Sequence, residues 1–462
     1  MSELLVPLHE DTLRAWVVPQ RWFGSKSRDV AHLNVLEAFG LREESSPQLV
    51  LALIEARFPT GTHEVYQMPI GIRPASDGWS ERVIAEVEGK TYYDALADPQ
   101  HARELLHLMR AGADVQAGEG MLAFRWVGGA GERGTVDVRP VGVEQSNSSI
   151  VFGEALILKA FRRVEPGVNP ELDLLRFLSA REFPHIAPIA GWFQYEGRLM
   201  DATLGVLQEY LAGAQDGWEL ALDALSSDPE AFLSEVHALG VVTGELHTAL
   251  GSEASDPAFA PEEPSTEAIS ILTATIDEEI ERIFVELPED EAIDPIRGRG
   301  QDVQERLQML ASVGTAGRVI RTHGDYHLGQ TMLADRGWVI LDFEGEPARP
   351  ISQRRLKRSP LRDVAGMLRS FSYAAAGSRI LRGAPPPESW EERARETFLG
   401  GYFEAVEPAL LPPGDEATRK MLSIFELEKA VYELRYELNN RPDWVAIPVA
   451  GIVRLLESNG GT

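Results

Sequence analysis

Histidine, carboxylate and amide side chains concentrate in two short segments, residues 323–330 (HGDYHLGQ) and residues 339–347 (VILDFEGEP). Transfer of a phosphoryl group requires a carboxylate that orients the acceptor hydroxyl and takes its proton. It also requires oxygen ligands that hold magnesium against the phosphates. Asp325, Gln330 and Asp342 carry side chains of these types. The two segments therefore favour phosphoryl transfer.

The spacing within these segments supports the same chemistry. In protein kinases a catalytic Asp lies five positions before a metal-binding Asn, and a second metal-binding Asp follows the next hairpin strand. Asp325 lies five positions before Gln330, and an apolar strand leads into Asp342. The side-chain carbonyl of Gln330 can bind a hard cation as Asn does. The spacing predicts Asp325 as the catalytic base, and Gln330, Asp342 and Glu344 as magnesium ligands.

Two other metal chemistries compete with this interpretation. His323 and His327 are four positions apart, which on a helix would suit zinc, but Gly324 between them argues against a helix. His327 is instead predicted to form structural hydrogen bonds. A hydrolase site is the more serious alternative and stays open. Its carboxylates would come from Asp325, Asp342, Glu344 and Glu346.

An ATP-dependent enzyme also needs a lysine that contacts the phosphates and an acidic residue that holds this lysine. Lys159 lies in the apolar strand predicted over residues 156–161, and the helix after it offers Glu171 or, failing that, Asp173. The hairpin before this strand has no G-x-G-x-x-G pattern, so its serines are predicted to meet the phosphates through hydroxyl and N–H groups. The predicted ATP contacts are Lys159, Glu171, Ser146, Ser148, Gln208, Glu209 and Leu211, the last three where an interlobe hinge would meet adenine.

The elements that must position these groups change character along the chain. Alternating and buried-strand patterns dominate up to about residue 210, as in residues 49–58, and helical spacing dominates afterwards, as in residues 232–250 and 421–438. This order predicts an α+β fold with a strand-rich part before a helical part. The predicted divisions are residues 1–90, 91–210 and 211–462.

Composition limits the partners. The 72 acidic residues exceed the 44 basic ones and give a formal charge of −28, which disfavours nucleic acid and anionic membranes as partners. There is no cysteine, which suits a reducing compartment. Since neither a signal peptide nor a long apolar run is apparent, we expect a cytoplasmic protein.

Several segments together resemble the bacterial maltokinases, which are relatives of the aminoglycoside phosphotransferases and, more distantly, of eukaryotic-type protein kinases. The narrowest matches are DFEGEP (residues 342–347) and SPLRDVAGMLRSF (residues 359–371). Broader ones are residues 20–24, 144–148, 158–163, 323–330, 428–433 and 440–444.

The resemblance implies a two-lobed protein-kinase-like fold in which residues 1–90 form an N-terminal cap subdomain, residues 91–210 the nucleotide-binding lobe and residues 211–462 the catalytic lobe. It implies ATP and Mg²⁺ as cofactors and transfer of the ATP γ-phosphate to the anomeric hydroxyl of maltose. The product would be maltose 1-phosphate, used for α-glucan synthesis. A kinase for a related sugar such as glucosamine, and a catalytically silent kinase-like regulator, are the alternatives. A trehalose synthase partner would be a separate protein, and the kinase is expected to be a monomer or a weak dimer.

The residues themselves support the prediction of a sugar acceptor less directly. Polar and aromatic side chains recur at helical spacing near the C-terminus and predict a sugar-binding face, although core tyrosines with solvated charges fit the same spacing. The predicted substrate contacts are His323, Lys429, Tyr432, Glu433, Tyr436 and Trp444. The basic run at residues 354–358 is predicted to be a solvated loop. Arg362 and Asp363 are predicted to brace the loop behind the metal site or to cap a helix.

Overall fold

The computed structural model describes residues 5, 8–128, 137–141, 147–198, 200–265, 267–311, 316–347 and 349–457. The chain forms two compact units. The first comprises Met1–Ser179 and Ala187–Gly213, and the second comprises Ala180–Ile186 and Ala214–Thr462. The first unit contains both strand-rich parts predicted from the sequence, and the three-part division stays a prediction.

A six-stranded antiparallel sheet occupies the N-terminal part of the first unit, with strand order β1-β2-β3-β5-β4 and β11 paired to β3. The predicted strand at residues 49–58 is confirmed as β2, and its alternating residues enter two different cores because successive side chains point to opposite faces. The elements are α1 (Glu10–Val17), β1 (His32–Arg42), β2 (Gln48–Arg57), β3 (His63–Pro74), β4 (Val83–Val87), β5 (Lys90–Asp94) and β11 (Arg163–Val164). Trp22 and Phe23 are buried against this sheet.

A second, seven-stranded antiparallel sheet follows in the same unit, with strand order β6-β7-β12-β13-β10-β9-β8. Its strands are β6 (Asp114–Ala117), β7 (Gly120–Trp126), β8 (Val138–Pro140), β9 (Asn147–Phe152), β10 (Leu156–Phe161), β12 (Ile189–Glu196) and β13 (Asp201–Glu209), accompanied by helices α2 (Pro99–Ala111) and α3 (Pro170–Ser179). The Asn169 side chain caps the start of α3, because it accepts a hydrogen bond from the Glu171 N–H at 2.8 Å.

The second unit is mainly helical. Its helices are α4 (Gly217–Ser227), α5 (Phe232–Leu250), α6 (Ala268–Val285), α7 (Gly300–Leu310), α8 (Ile351–Arg354), α9 (Leu361–Arg382), α10 (Trp390–Ala405), α11 (Asp415–Asn440) and α12 (Ala446–Glu457). A small antiparallel sheet has the order β14-β15-β16, with β14 (Gln215–Asp216), β15 (Thr331–Ala334) and β16 (Gly337–Ile340). Among the described residues, no helix combines the length and apolar character that crossing a membrane requires.

Glycines allow α5 and α10 to pack closely. A Cβ atom on Gly240 of α5 would lie 2.2 Å from the carbonyl oxygen of Phe398, and one on Gly401 of α10 would lie 2.2 Å from the carbonyl oxygen of His237. Both atoms are backbone oxygens that cannot rotate away. This packing fixes α5, which contributes His247 to the network described below.

Candidate active site

The loop at residues 323–330 is held by a buried carboxylate. Asp363, in the first turn of α9, accepts hydrogen bonds from the backbone N–H groups of His323 at 2.8 Å and of Gly324 at 3.0 Å. Burial alone would raise the pKa of Asp363, but the hydrogen bond to His247 and the nearby histidines hold this pKa below its ordinary value of 3.8. A charged Asp363 therefore anchors the backbone directly before Asp325, which is the bracing role predicted from the sequence.

Asp325 faces a cavity of about 200 Å³ within the second unit. Its carboxylate lies 3.7 Å from the ammonium group of Lys429, which is also 3.9 Å from Glu346. Burial alone would lower the pKa of Lys429, but the negative charges of Asp325 and Glu346 raise it above its ordinary value. Lys429 therefore stays protonated and orients the predicted base toward the cavity.

The hairpin of β15 and β16 brings the two predicted metal ligands together. The Gln330 side-chain N–H donates to the Asp342 carboxylate at 3.1 Å, and the Leu341 N–H donates to the Gln330 carbonyl at 2.9 Å. Asp342 has a φ of 61°, a left-handed conformation that is uncommon outside glycine. Carboxylate and amide oxygens suit Mg²⁺, so this pair fits the predicted metal once the Gln330 amide rotates its oxygen toward Asp342.

The two histidines of the loop have structural partners. His323 is buried, its Nε2 lies 2.8 Å from the Leu341 carbonyl oxygen, and its ring packs against Phe343 with 5.0 Å between centroids. The Nδ1 atom of His327 accepts from the Gly329 N–H at 3.1 Å. The predicted structural role of His327 is confirmed, and the helix that a zinc pair would require is not formed at these residues.

In the first unit, Lys159 pairs with Glu171. The ammonium and carboxylate groups are 2.9 Å apart, and the Glu171 side chain is 1% exposed. The Gln208 side chain also donates to Glu171, at 3.3 Å. This geometry supports Glu171 as the residue that holds Lys159.

Comparison with known proteins finds two family models that match parts of this chain. Residues 16–98 match the maltokinase N-terminal cap domain, and residues 137–345 match the phosphotransferase enzyme family. This chain is a capped phosphotransferase. The resemblance found in the sequence and the predicted α+β, kinase-like fold with an N-terminal cap are thereby confirmed.

Relatives of this phosphotransferase include two proteins named glucosamine kinase. The one from Streptacidiphilus jiangxiensis is 26% identical over 407 residues, covering 84% of this chain and 88% of the relative. The one from Mycolicibacterium smegmatis is 29% identical over 339 residues, covering 70% and 81%. A solved structure of a glucosamine kinase in complex with glucosamine, ADP and inorganic phosphate has a TM-score of 0.71 at 19% identity and covers 99% of each chain, which shows a shared fold.

The residues of the predicted sugar face of this phosphotransferase lie in different surroundings. Lys429 and Tyr432 line the cavity. Glu433 is buried and accepts from the Arg369 guanidinium at 2.9 Å, because the helical turn of α11 directs it toward α9. Tyr436 is 44% exposed. Trp444 stacks on Tyr373 at a centroid distance of 6.1 Å, and neither Tyr436 nor Trp444 lines this cavity.

The remaining predicted contacts with ATP have these positions. Ser148 is buried, and its hydroxyl accepts from the Arg162 guanidinium at 2.9 Å. Glu209 ends strand β13 and Leu211 follows it, whereas Ser146 lies outside the described residues. Glu344, which was predicted as a magnesium ligand, accepts through its backbone carbonyl from Arg354 at 3.1 Å.

The sequence interpretation missed the arginines of the cavity. The run at residues 354–358 was expected to be a solvated loop, but the Arg354 side chain is only 5% exposed and both Arg354 and Arg358 line the cavity. Arg349 and Arg362 line it as well. A basic run directly before the SPLRDVAGM segment was the available signal, but its charge alone cannot distinguish a cavity wall from a solvated surface.

Proposed function

We propose that this phosphotransferase is an ATP- and Mg²⁺-dependent sugar kinase that phosphorylates the anomeric hydroxyl of maltose. The observation that carries the proposal is the cavity in which Asp325 meets Lys429 and Tyr432 of α11. A carboxylate in a polar, aromatic-edged cavity suits a hydroxyl-rich acceptor.

The residues of this chain divide the reaction as follows. Asp325 accepts the proton of the acceptor hydroxyl. The oxygen of that hydroxyl forms a bond to the γ-phosphorus, the bond from this phosphorus to the bridging oxygen of the β-phosphate breaks, and ADP leaves. Lys159, held by Glu171, contacts the phosphates of ATP. Asp342 and Gln330, with Glu344, would hold Mg²⁺, which would offset phosphate charge.

The charge of the cavity favours a neutral acceptor over glucosamine, which is cationic when its amine is protonated. Carboxylates that line the cavity already have basic partners: Asp325 and Glu346 face Lys429, Glu428 pairs with Arg362, and Glu279 pairs with Arg435. An ammonium group would have to displace one of these partners, leaving a cation partly desolvated. The names of the relatives nevertheless keep glucosamine as the second candidate.

The intact catalytic set argues against a silent regulator. Lys159 keeps its buried partner, and Asp325 and Asp342 are both present. The proposal accordingly includes a monomeric or weakly dimeric kinase in the cytoplasm. A separate trehalose synthase would supply its maltose.

The test is ADP release in the presence of ATP and Mg²⁺ with maltose, glucose, glucosamine, trehalose or no sugar, followed by NMR of the product. Turnover with maltose and a phosphate on its anomeric carbon is the expected result. Turnover with glucosamine alone would show that glucosamine, and not maltose, is the acceptor. Equal ADP release without sugar would identify the hydrolase that the sequence left open. No ADP release with any sugar, together with retained ATP binding, would favour the regulator.

A further inference from the structure

One arginine of the cavity has no anionic partner. The basic residues lining the cavity are Arg349, Arg354, Arg358, Arg362, Lys429 and Arg435. Arg349 pairs with Glu346, Arg362 with Glu428 and Arg435 with Glu279, while Lys429 faces Asp325. Arg354 donates to the carbonyl of Glu344 and lies 3.9 Å from the carboxylate of the same residue. Within the part of the chain that the structure describes, no carboxylate or other acceptor lies within bonding distance of the Arg358 guanidinium.

The backbone of Arg358 is fixed. Its N–H donates to the Ile320 carbonyl at 2.8 Å, and its carbonyl accepts from the Ile320 N–H at 2.9 Å. This bridge joins the segment before α9 to the strand-like segment that leads into the catalytic loop. The side chain of Arg358 therefore starts from a rigid position at the cavity wall.

The surroundings of Arg358 are positively charged. Burial, followed by the charges of Arg362 and Arg349, lowers the pKa of Arg358 to about 10 from its ordinary value of 12.5. Glu428 and Glu346 are close enough to oppose this effect, but each already binds another arginine. Arg358 is still protonated at neutral pH, and three guanidinium groups in one partly desolvated region repel each other. A bound anion would relieve that repulsion.

We propose that Arg358, flanked by Arg349 and Arg362, forms an anion subsite in the wall of the acceptor cavity that takes a phosphate group. The planar guanidinium fork matches two oxygens of a phosphate, and the flanking charges supply further attraction. The phosphate is either free inorganic phosphate or the phosphate of a sugar phosphate whose ring occupies the cavity. The proposal does not depend on which sugar the kinase phosphorylates.

Isothermal titration calorimetry without ATP or Mg²⁺ tests the subsite, with inorganic phosphate and glucose 6-phosphate as probes at pH 7.5 and constant chloride. Wild-type protein should bind a probe saturably, and Arg358→Gln should raise its Kd at least about tenfold, because a charge-assisted bidentate contact is lost. Arg358→Lys, which retains the charge but lacks the fork, should give an intermediate Kd.

Arg419→Gln is the matched control, since Arg419 is an exposed arginine of α11 outside the cavity. Equal affinity in wild type and Arg358→Gln, or no saturable binding by wild type up to about 20 mM, would overturn the subsite. Tighter binding of glucose 6-phosphate that maltose displaces would identify a sugar-borne phosphate. Similar binding of both probes without displacement by maltose would identify the free anion. Because no turnover is measured, these outcomes are independent of the kinase assay.

Discussion

Replacing Asp363 by asparagine should damage both the stability and the turnover of the enzyme. The carboxylate accepts from two backbone N–H groups, those of His323 and Gly324, and lies 3.3 Å from the Nε2 atom of His247. An asparagine keeps one acceptor oxygen and presents an N–H₂ group where the second oxygen was. One loop N–H is then left without an acceptor in a buried place, which costs about 1–3 kcal/mol, and the remaining contacts lose their charge assistance at about 1 kcal/mol.

The expected loss of stability is therefore about 2–4 kcal/mol at pH 7. Turnover should fall about 100-fold, because the anchored backbone directly precedes Asp325 and a displacement near 1 Å is enough to lose that much rate. Unfolding in urea monitored by tryptophan fluorescence, together with ADP release, measures both quantities. Asp415→Asn is the matched control, because Asp415 also lies in the first turn of a helix, α11, and is exposed.

The same carboxylate predicts a pH dependence. Because the pKa of Asp363 is lower in the folded protein than its ordinary value of 3.8, its contribution to stability is present above about pH 4 and is lost as pH falls through the lowered pKa. The difference in stability between wild type and Asp363→Asn should consequently shrink in acid. A change in stability below about 0.5 kcal/mol together with normal turnover at pH 7 would refute the anchoring role.

Three further changes test other parts of the enzyme. Asp325→Asn should reduce turnover by at least about 100-fold while calorimetry still detects ATP binding, since only the proton acceptor is lost; near-normal ADP release would contradict the assignment of the base. Glu171→Gln should raise the KM for ATP about tenfold by releasing Lys159, whereas Asp173→Asn should leave that KM near wild type, and equal effects would count against the pair. Gly240→Val should destabilise the α5–α10 packing by at least about 1–3 kcal/mol in thermal unfolding, because its Cβ has no space; an unchanged melting temperature would contradict this packing.

The sequence alone was sufficient where chemistry and structure depend on near neighbours. Strand β2 was predictable because its apolar run is continuous, and the start of α3 because Asn169 and Pro170 form a local cap. Asp325 and Gln330 could be predicted as base and metal ligand because phosphoryl transfer in protein kinases uses residues of these types five positions apart in one loop. Asp342 could be predicted as the second metal ligand because it directly follows an apolar strand. The predicted metal pair therefore depends on a single hairpin.

The sugar face shows where the sequence stopped being sufficient. Helical spacing grouped Lys429, Tyr432 and Glu433, but one helix has several faces, and the spacing does not say which face meets a cavity and which meets a neighbouring helix. Glu433 faces α9 because Arg369 on that helix binds its carboxylate. Trp444 likewise stacks on Tyr373 and does not line the cavity.

The sequence by itself determined the resemblance to the phosphotransferases and the α+β order of the elements, and it predicted the residues of the phosphotransfer motif, because these depend on local patterns of residue type and spacing. Only the tertiary structure decided that Asp363 holds the loop, that Lys429 faces Asp325, and that Arg358 lies beside other arginines without a carboxylate partner among the described residues. These relations join residues tens of positions apart. Their charges are visible in the sequence, but whether two charges pair, repel or face solvent depends on distance and burial, which exist only in the folded chain.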